Sequence, residues 1–196
     1  MNMGDLRKIC KEIEGCNKCQ LCTGRTNAVS GYGHEKARIL FVGEGPGKDE
    51  DLQGKPFVGA SGKFLTTLIE SIGLTREDVY ITNVVKCRPP ENRDPFPEEI
   101  SACWSYLMRQ IRAIKPLVIV TLGRHSMGRF LPDLKISEAH GVPKVYKGIW
   151  NDKQIYIPLY HPAVALYDPR KREVLLEDFK VIPKVIKKLS QQKDAA

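Results

Sequence analysis

The residues best suited to chemistry fall into two sets: cysteines, and a few glycine, asparagine and histidine positions that directly follow apolar runs. Cys16-x-x-Cys19 puts two thiols in a short loop, and such a loop turns both sulfurs toward one metal. Cys87 and Cys103 supply a second pair, with fifteen residues between them, one just past an apolar run and the other early in a helical pattern. Cys10 and Cys22 have no equally placed partner. Four thiolates suit either zinc or an iron–sulfur cluster, and ligand type alone does not choose between them. The second set starts at Gly43-Glu44-Gly45-Pro46-Gly47, a tight turn after the run Arg38 to Val42. A glycine-rich turn in that position presents backbone N–H groups to an anion or a carbonyl oxygen. The spacing matches neither a phosphate-binding loop nor a dinucleotide fingerprint. Glu44, Asp49, Glu50 and Asp51 are acidic, which suits a carboxylate that orients water or stabilises a cation. Asn83 is a polar amide among apolar neighbours, and His161-Pro162 follows another apolar run.

The elements that must position these residues alternate. Arg38 to Val42, Val79 to Val85, Leu117 to Gly123 and Ile155 to Tyr160 read as four strands, with Pro158 marking an edge or a strand end. Between and around them lie helical patterns: Gly4 to Gly15, a helix opened by Ser61 and ended by Gly73, and about 17 residues ending before Pro116. A closing basic helix runs from Asp168 to Leu189, bent at Pro183. This alternation implies an α/β fold, one three-layer domain over residues 1–196 with a central, mostly parallel four-stranded sheet flanked by helices. Ligands in such sheets bind outside the carboxyl ends of the strands. That rule collects residues 43–47, Asn83 and His161 on one rim.

The 196 residues carry 31 Lys and Arg against 23 Asp and Glu, a net charge of +8, which favours an acidic partner such as nucleic acid. No stretch approaches the roughly 18 apolar residues of a membrane span, and the first residues lack the apolar run of a secretory signal. A cytoplasmic, nucleoid-associated protein is expected. Six cysteines in that reducing compartment point to metal or chemistry rather than disulfides.

Gly43-Glu44-Gly45-Pro46-Gly47, Gly54-Lys55-Pro56-Phe57-Val58-Gly59, Tyr80-Ile81-Thr82-Asn83, Lys86-Cys87-Arg88-Pro89-Pro90 and His161-Pro162 occur in that order. Together they resemble the family 4 uracil-DNA glycosylases, the thermostable iron–sulfur branch, from about Cys16 to the final helix. The resemblance implies a base-excision-repair hydrolase that flips uracil from single- or double-stranded DNA and cuts its N-glycosidic bond. It implies a structural [4Fe–4S] cluster on Cys16, Cys19, Cys87 and Cys103, with Cys10 and Cys22 outside the ligand set. His161 is assigned to uracil O2 and the Gly45 N–H is a second donor there. Asn83 reads O4 and N3–H, Phe57 stacks on the ring, and Gly43 is assigned to the substrate pocket. Glu50 is the candidate wall against the thymine methyl. Gly45 stands where better-known uracil glycosylases carry an aspartate, so the water-activating base is open between Glu44, Glu50 and a dissociative path with little base help. Ser61, Lys86, Arg88, Arg93 and Arg170 are assigned to DNA, with Leu166 or Tyr167 as the wedge that fills the gap.

A monomer is expected. A sliding clamp is a candidate further partner, although no tail motif for one is evident. Two other readings stand beside this one. One is a non-enzymatic iron–sulfur or zinc protein that binds nucleic acid. The other is a relative acting on hypoxanthine or mismatched bases.

Overall fold

A computed structural model describes residues 4–147 and 153–194. Its helices are α1 (Gly4–Glu14), α2 (Leu21–Gly24), α3 (Lys48–Gln53), α4 (Ala60–Glu70), α5 (Pro97–Ile114), α6 (Arg124–Phe130), α7 (Ile136–Ala139), α8 (Pro169–Phe179) and α9 (Val181–Asp194). The strands are β1 (Tyr32–Gly33), β2 (Ile39–Gly43), β3 (Tyr80–Asn83), β4 (Val118–Leu122), β5 (Lys144–Lys147) and β6 (Lys153–Leu159). They form one sheet in the order β1-β3-β2-β4-β6-β5.

The inner four, β3-β2-β4-β6, are parallel and correspond to the four expected strands. The sheet nevertheless has six strands, because a short antiparallel strand pairs onto each edge. Neither edge strand carries a buried apolar run. β1 is two residues long, and β5 reads Lys-Val-Tyr-Lys with Val145 exposed. Pro158 pairs with Thr121 of β4 beyond the last register pair of β5, so its missing N–H interrupts no ladder.

Side chains along β2 alternate between two cores. Leu40 and Val42 face one core, shared with α1 and α5, while Ile39 and Phe41 face the other, shared with α4, α8 and α9. A parallel sheet covered on both faces needs continuous apolar strands, which is why these runs show no polar alternation. The closing helix breaks at Lys180 rather than at Pro183. Pro183 lies in the first turn of α9, where its absent N–H costs little.

The chain leaves β2 for β3 on one side and later returns to β4 on the other. This is the topological switch point, and the crevice it opens lies past the carboxyl end of β2.

Candidate active site and cysteine cradle

That crevice is a cleft of about 410 Å³, lined by residues 44–47, Phe57, Asn83, Asp94 and His161 among others, with Tyr167 at its mouth. Each strand end contributes. Gly43 closes β2 against the floor, and a Cβ there would lie 2.4 Å from Asn83 Oδ1 and 2.6 Å from Phe57 Cζ. Only glycine leaves room for both side chains. Asn83, ending β3, is 1% exposed, and its Oδ1 has no hydrogen-bond partner among the described residues. A buried acceptor without a partner costs free energy unless a ligand donor completes it.

Phe57 sits with its ring centroid 5.6 Å from that of His161, tilted by 30°. Its backbone has φ +53°, a left-handed conformation that a bulky residue adopts only under constraint. The constraints are visible. Arg76 donates to the carbonyls of Pro56 (2.6 Å) and Phe57 (3.0 Å), and Gly62 of α4 packs so close that a Cβ would meet the Phe57 carbonyl at 2.0 Å.

His161 follows β6. Its Nδ1 accepts from the Ala163 N–H at 3.2 Å, which leaves the proton of the neutral ring on Nε2. Burial drives the imidazole down to about 4, against a smaller opposing pull from the Glu50 carboxylate. The ring is therefore a neutral Nε2–H donor at physiological pH.

The acidic residues divide. Glu50 is not placed as a base, because its Oε1 accepts from the Val58 and Gly59 N–H groups (2.9 Å each) and its Oε2 from Gly47 N–H (3.1 Å). It ties two loops of the pocket together, half of it as a capping-box contact at α3. Asp51 likewise accepts from the Thr26 and Asn27 N–H groups. Glu44 remains on the rim. Burial pushes its carboxyl above the usual range, with His125, Arg124 and Arg129 pulling the other way. Among the described residues, Glu44, Asp94 and His125 form the one trio of His, Cys, Asp or Glu whose ligand atoms all lie within 4.8 Å of one another. Arg124 donates to His125 Nε2 at 2.9 Å, so a metal ion there would have to displace a guanidinium.

Of the residues expected on DNA, Ser61 and Tyr167 line the cleft, and Tyr167 and Leu166 are 88% and 48% exposed. Arg170 is exposed and paired with Asp168. Arg88 donates to Asn92 at 2.8 Å. Arg93 reaches the cleft, but its guanidinium is engaged in both directions, gripping the Glu99 carboxylate through two hydrogen bonds and stacking 3.7 Å from the Phe96 ring. Lys86 does not reach the surface: at 1% exposure its ammonium is spent on internal acceptors. Asp94, His125 and Arg76 are the site residues that sequence reasoning missed. The strand-end rule that selected His161 also covers Gly123-Arg124-His125 after β4, so His125 was within its reach.

Behind this rim, Cys16, Cys19, Cys22, Cys87 and Cys103 line one apolar cavity with Ile13, Leu21 and Tyr106. Cys10 lies apart, 3.7 Å from the Tyr80 hydroxyl. Four thiolates on one zinc would stand about 3.8 Å apart, given bonds of about 2.3 Å in a tetrahedron. Among the described residues, no three of these sulfurs fall within 4.8 Å of one another. Arg25 donates to Cys87 Sγ at 3.1 Å, placing a cation against the thiolate side.

Residues 30–189 match the family model of the Uracil DNA glycosylase superfamily. The chain belongs to that superfamily. It is 54% identical over 187 residues to a type-4 uracil-DNA glycosylase of Archaeoglobus fulgidus, covering 92% of each chain. The corresponding protein of Sulfurisphaera tokodaii is 52% identical, over 92% of this chain and 84% of its own. That of Thermotoga maritima is 44% identical, over 92% and 94%. These relatives put the chain in the type-4 branch. No helix among its described residues is long and apolar enough to cross a membrane.

Proposed function

We propose that this protein excises uracil from DNA, breaking the bond between uracil N1 and the sugar and leaving an abasic site for repair. The observation that carries the reading is the buried, unpartnered Asn83 Oδ1 in a cleft that also holds Phe57 and a neutral histidine. Uracil presents a donor at N3 beside an acceptor at O4, and an amide can meet both. Cytosine offers the reversed pattern, which would leave buried groups unpaired and can cost roughly 10⁴ in rate.

A base inside a duplex is out of reach, so the nucleotide must leave the stack. Tyr167, with Leu166 beside it, enters the gap, since both are exposed and Tyr167 lines the cleft. Phe57 takes the ring face. As the N1–sugar bond breaks, its electron pair moves onto uracil, and His161 Nε2–H donates to O2 where that charge grows. The Gly45 N–H is a second donor to the same oxygen. Water adds to the sugar carbon, and Glu44 takes its proton; its desolvated carboxylate is on the rim and Glu50 is occupied elsewhere. Ser61, Arg88 and Arg170 meet phosphates near the pocket.

Cys16, Cys19, Cys87 and Cys103 hold a [4Fe–4S] cluster, whose contribution is to pin the 88–97 loop against residues 16–25 rather than to exchange electrons. The protein works as a monomer on uracil-containing DNA.

The test is incubation with an end-labelled single strand carrying one uracil, followed by alkali and a gel. A cut at uracil, absent from cytosine and thymine controls, supports the reading. An intact strand from protein with its cysteine site filled overturns it in favour of a nucleic-acid-binding protein without catalysis.

A further inference from the structure

Lys86 is the most deeply buried charged side chain that the proposed chemistry leaves unused. Its Nζ donates to Thr82 Oγ1 at 2.6 Å, to the Asn83 backbone carbonyl at 2.7 Å and to Gln110 Oε1 at 2.7 Å. An ammonium has three donors, and here all three are satisfied. Gln110 is anchored in turn, its Nε2 donating to Ser30 O at 2.6 Å, and Thr82 Oγ1 donates to the same carbonyl at 3.1 Å. All three acceptors of the lysine are neutral. Burying a cation without a carboxylate is expensive, and this one is kept by three hydrogen bonds whose buried acceptors its loss would leave unpaired. Something local must need it.

The position says what. Lys86 lies three residues after Asn83 and immediately before Cys87. Its own carbonyl accepts from Val29 N–H at 2.7 Å, while Val84 and Val85 donate to Gly43 O and Glu44 O. The segment from the base-reading amide to the cysteine cradle is thus one braced piece, and the ammonium is the brace that grips the Asn83 peptide itself. We propose that Lys86 is a positioning residue that fixes the Asn83 amide for base reading and joins it to the cysteine cradle, rather than a phosphate contact. This rests on the reading of Asn83 as the uracil-edge residue. A substituent held by such a brace typically loses 10- to 100-fold in function when the brace goes.

The experiment is a double-mutant cycle with Lys86→Met, Asn83→Ala and the pair, in protein whose iron content and visible absorption are measured first. Two rates are read: uracil excision, and binding to a strand carrying an abasic-site analogue, which needs no base reading. Lys86→Met is expected to keep the cluster absorption and abasic-strand affinity, lower excision roughly 10- to 100-fold, and add nothing to Asn83→Ala. Wild-type excision by Lys86→Met, additive losses, or an equal loss of abasic-strand binding overturns the proposal while leaving the role of Asn83 intact. Full activity of Asn83→Ala overturns both. Should Lys86→Met fail to fold, Gln110→Leu removes one acceptor and is read by the same cycle, with the same non-additivity expected.

Discussion

Gly43→Ala adds one methyl group at the place where the base-reading and stacking side chains meet. The added Cβ would lie 2.4 Å from Asn83 Oδ1 and 2.6 Å from Phe57 Cζ, against ordinary contact from 3.4 Å. One or both side chains must therefore retreat by close to 1 Å. Neither has an easy route. Asn83 is 1% exposed at a strand end, and the Phe57 backbone is held by Arg76 and by the close approach of Gly62. A misplacement of about 1 Å costs on the order of 10²-fold in rate, so the expected loss in single-turnover excision is about a hundredfold. Overpacking of this kind costs about 1–3 kcal/mol, and each kcal/mol lowers Tm by roughly 2–4 °C in a chain of this size. The variant should therefore stay folded at the assay temperature. The assay is excess enzyme over a labelled uracil strand, alkali, and a gel time course, with Tm measured on the same preparation. Excision at the wild-type rate would refute the reasoning, since Asn83 and Phe57 could then not both need their observed places.

Four further outcomes are expected. His161, driven down to about 4 by burial, should stay neutral through the physiological range in a ¹⁵N-histidine NMR titration. Because its folded value lies below the ordinary one, the unfolded chain takes up the proton first. This residue therefore erodes stability as pH falls from about 6.5 toward 4 and adds no further pH dependence below that; titration near 6.5 would refute the assignment. His161→Gln should lower excision by about 10²–10³. Arg76→Met frees the Pro56 and Phe57 carbonyls, and the relaxed ring should cost up to the roughly 1–3 kcal/mol of a base–aromatic stack, read as reduced kcat/KM with unchanged affinity for an abasic strand. Stripping metal from the cysteine cradle should lower Tm and expose residues 88–97 to protease, and unchanged digestion would remove the structural role assigned to the cluster.

The inner sheet was legible because β2, β3, β4 and β6 are buried on both faces, and such strands write themselves as apolar runs ending in glycine, asparagine or histidine. The rim followed from those endings, which bring Gly43, Asn83 and His161 together by strand order alone. The edge strands were not legible, since β1 is only Tyr32–Gly33 and β5 is four residues with Val145 and Tyr146 exposed between two lysines. Charge type misled twice. Lys86 reads as a phosphate contact because lysine is so seldom buried, and only the three converging acceptors reveal its place. Glu50 reads as a base because it neighbours a glycine turn, whereas loop 58–59 folds back eight residues later to take its oxygens. Asp94, in the loop before α5, and His125, in the first turn of α6, meet Glu44, a proximity that no local spacing encodes.

The Glu50 carboxylate also bears on timing. By holding the 47 and 58–59 backbone positions at once, it braces two loops of the cleft wall into one piece. A receptor shaped in advance on that side leaves much of the cost of unpairing to the DNA itself. The frequency with which a nucleotide swings out by itself then governs how quickly lesions are found. Uracil opposite guanine, the product of cytosine deamination, and uracil in unpaired stretches breathe out most readily, and uracil opposite adenine least. Surveillance by this protein would then follow the weak points of the genome.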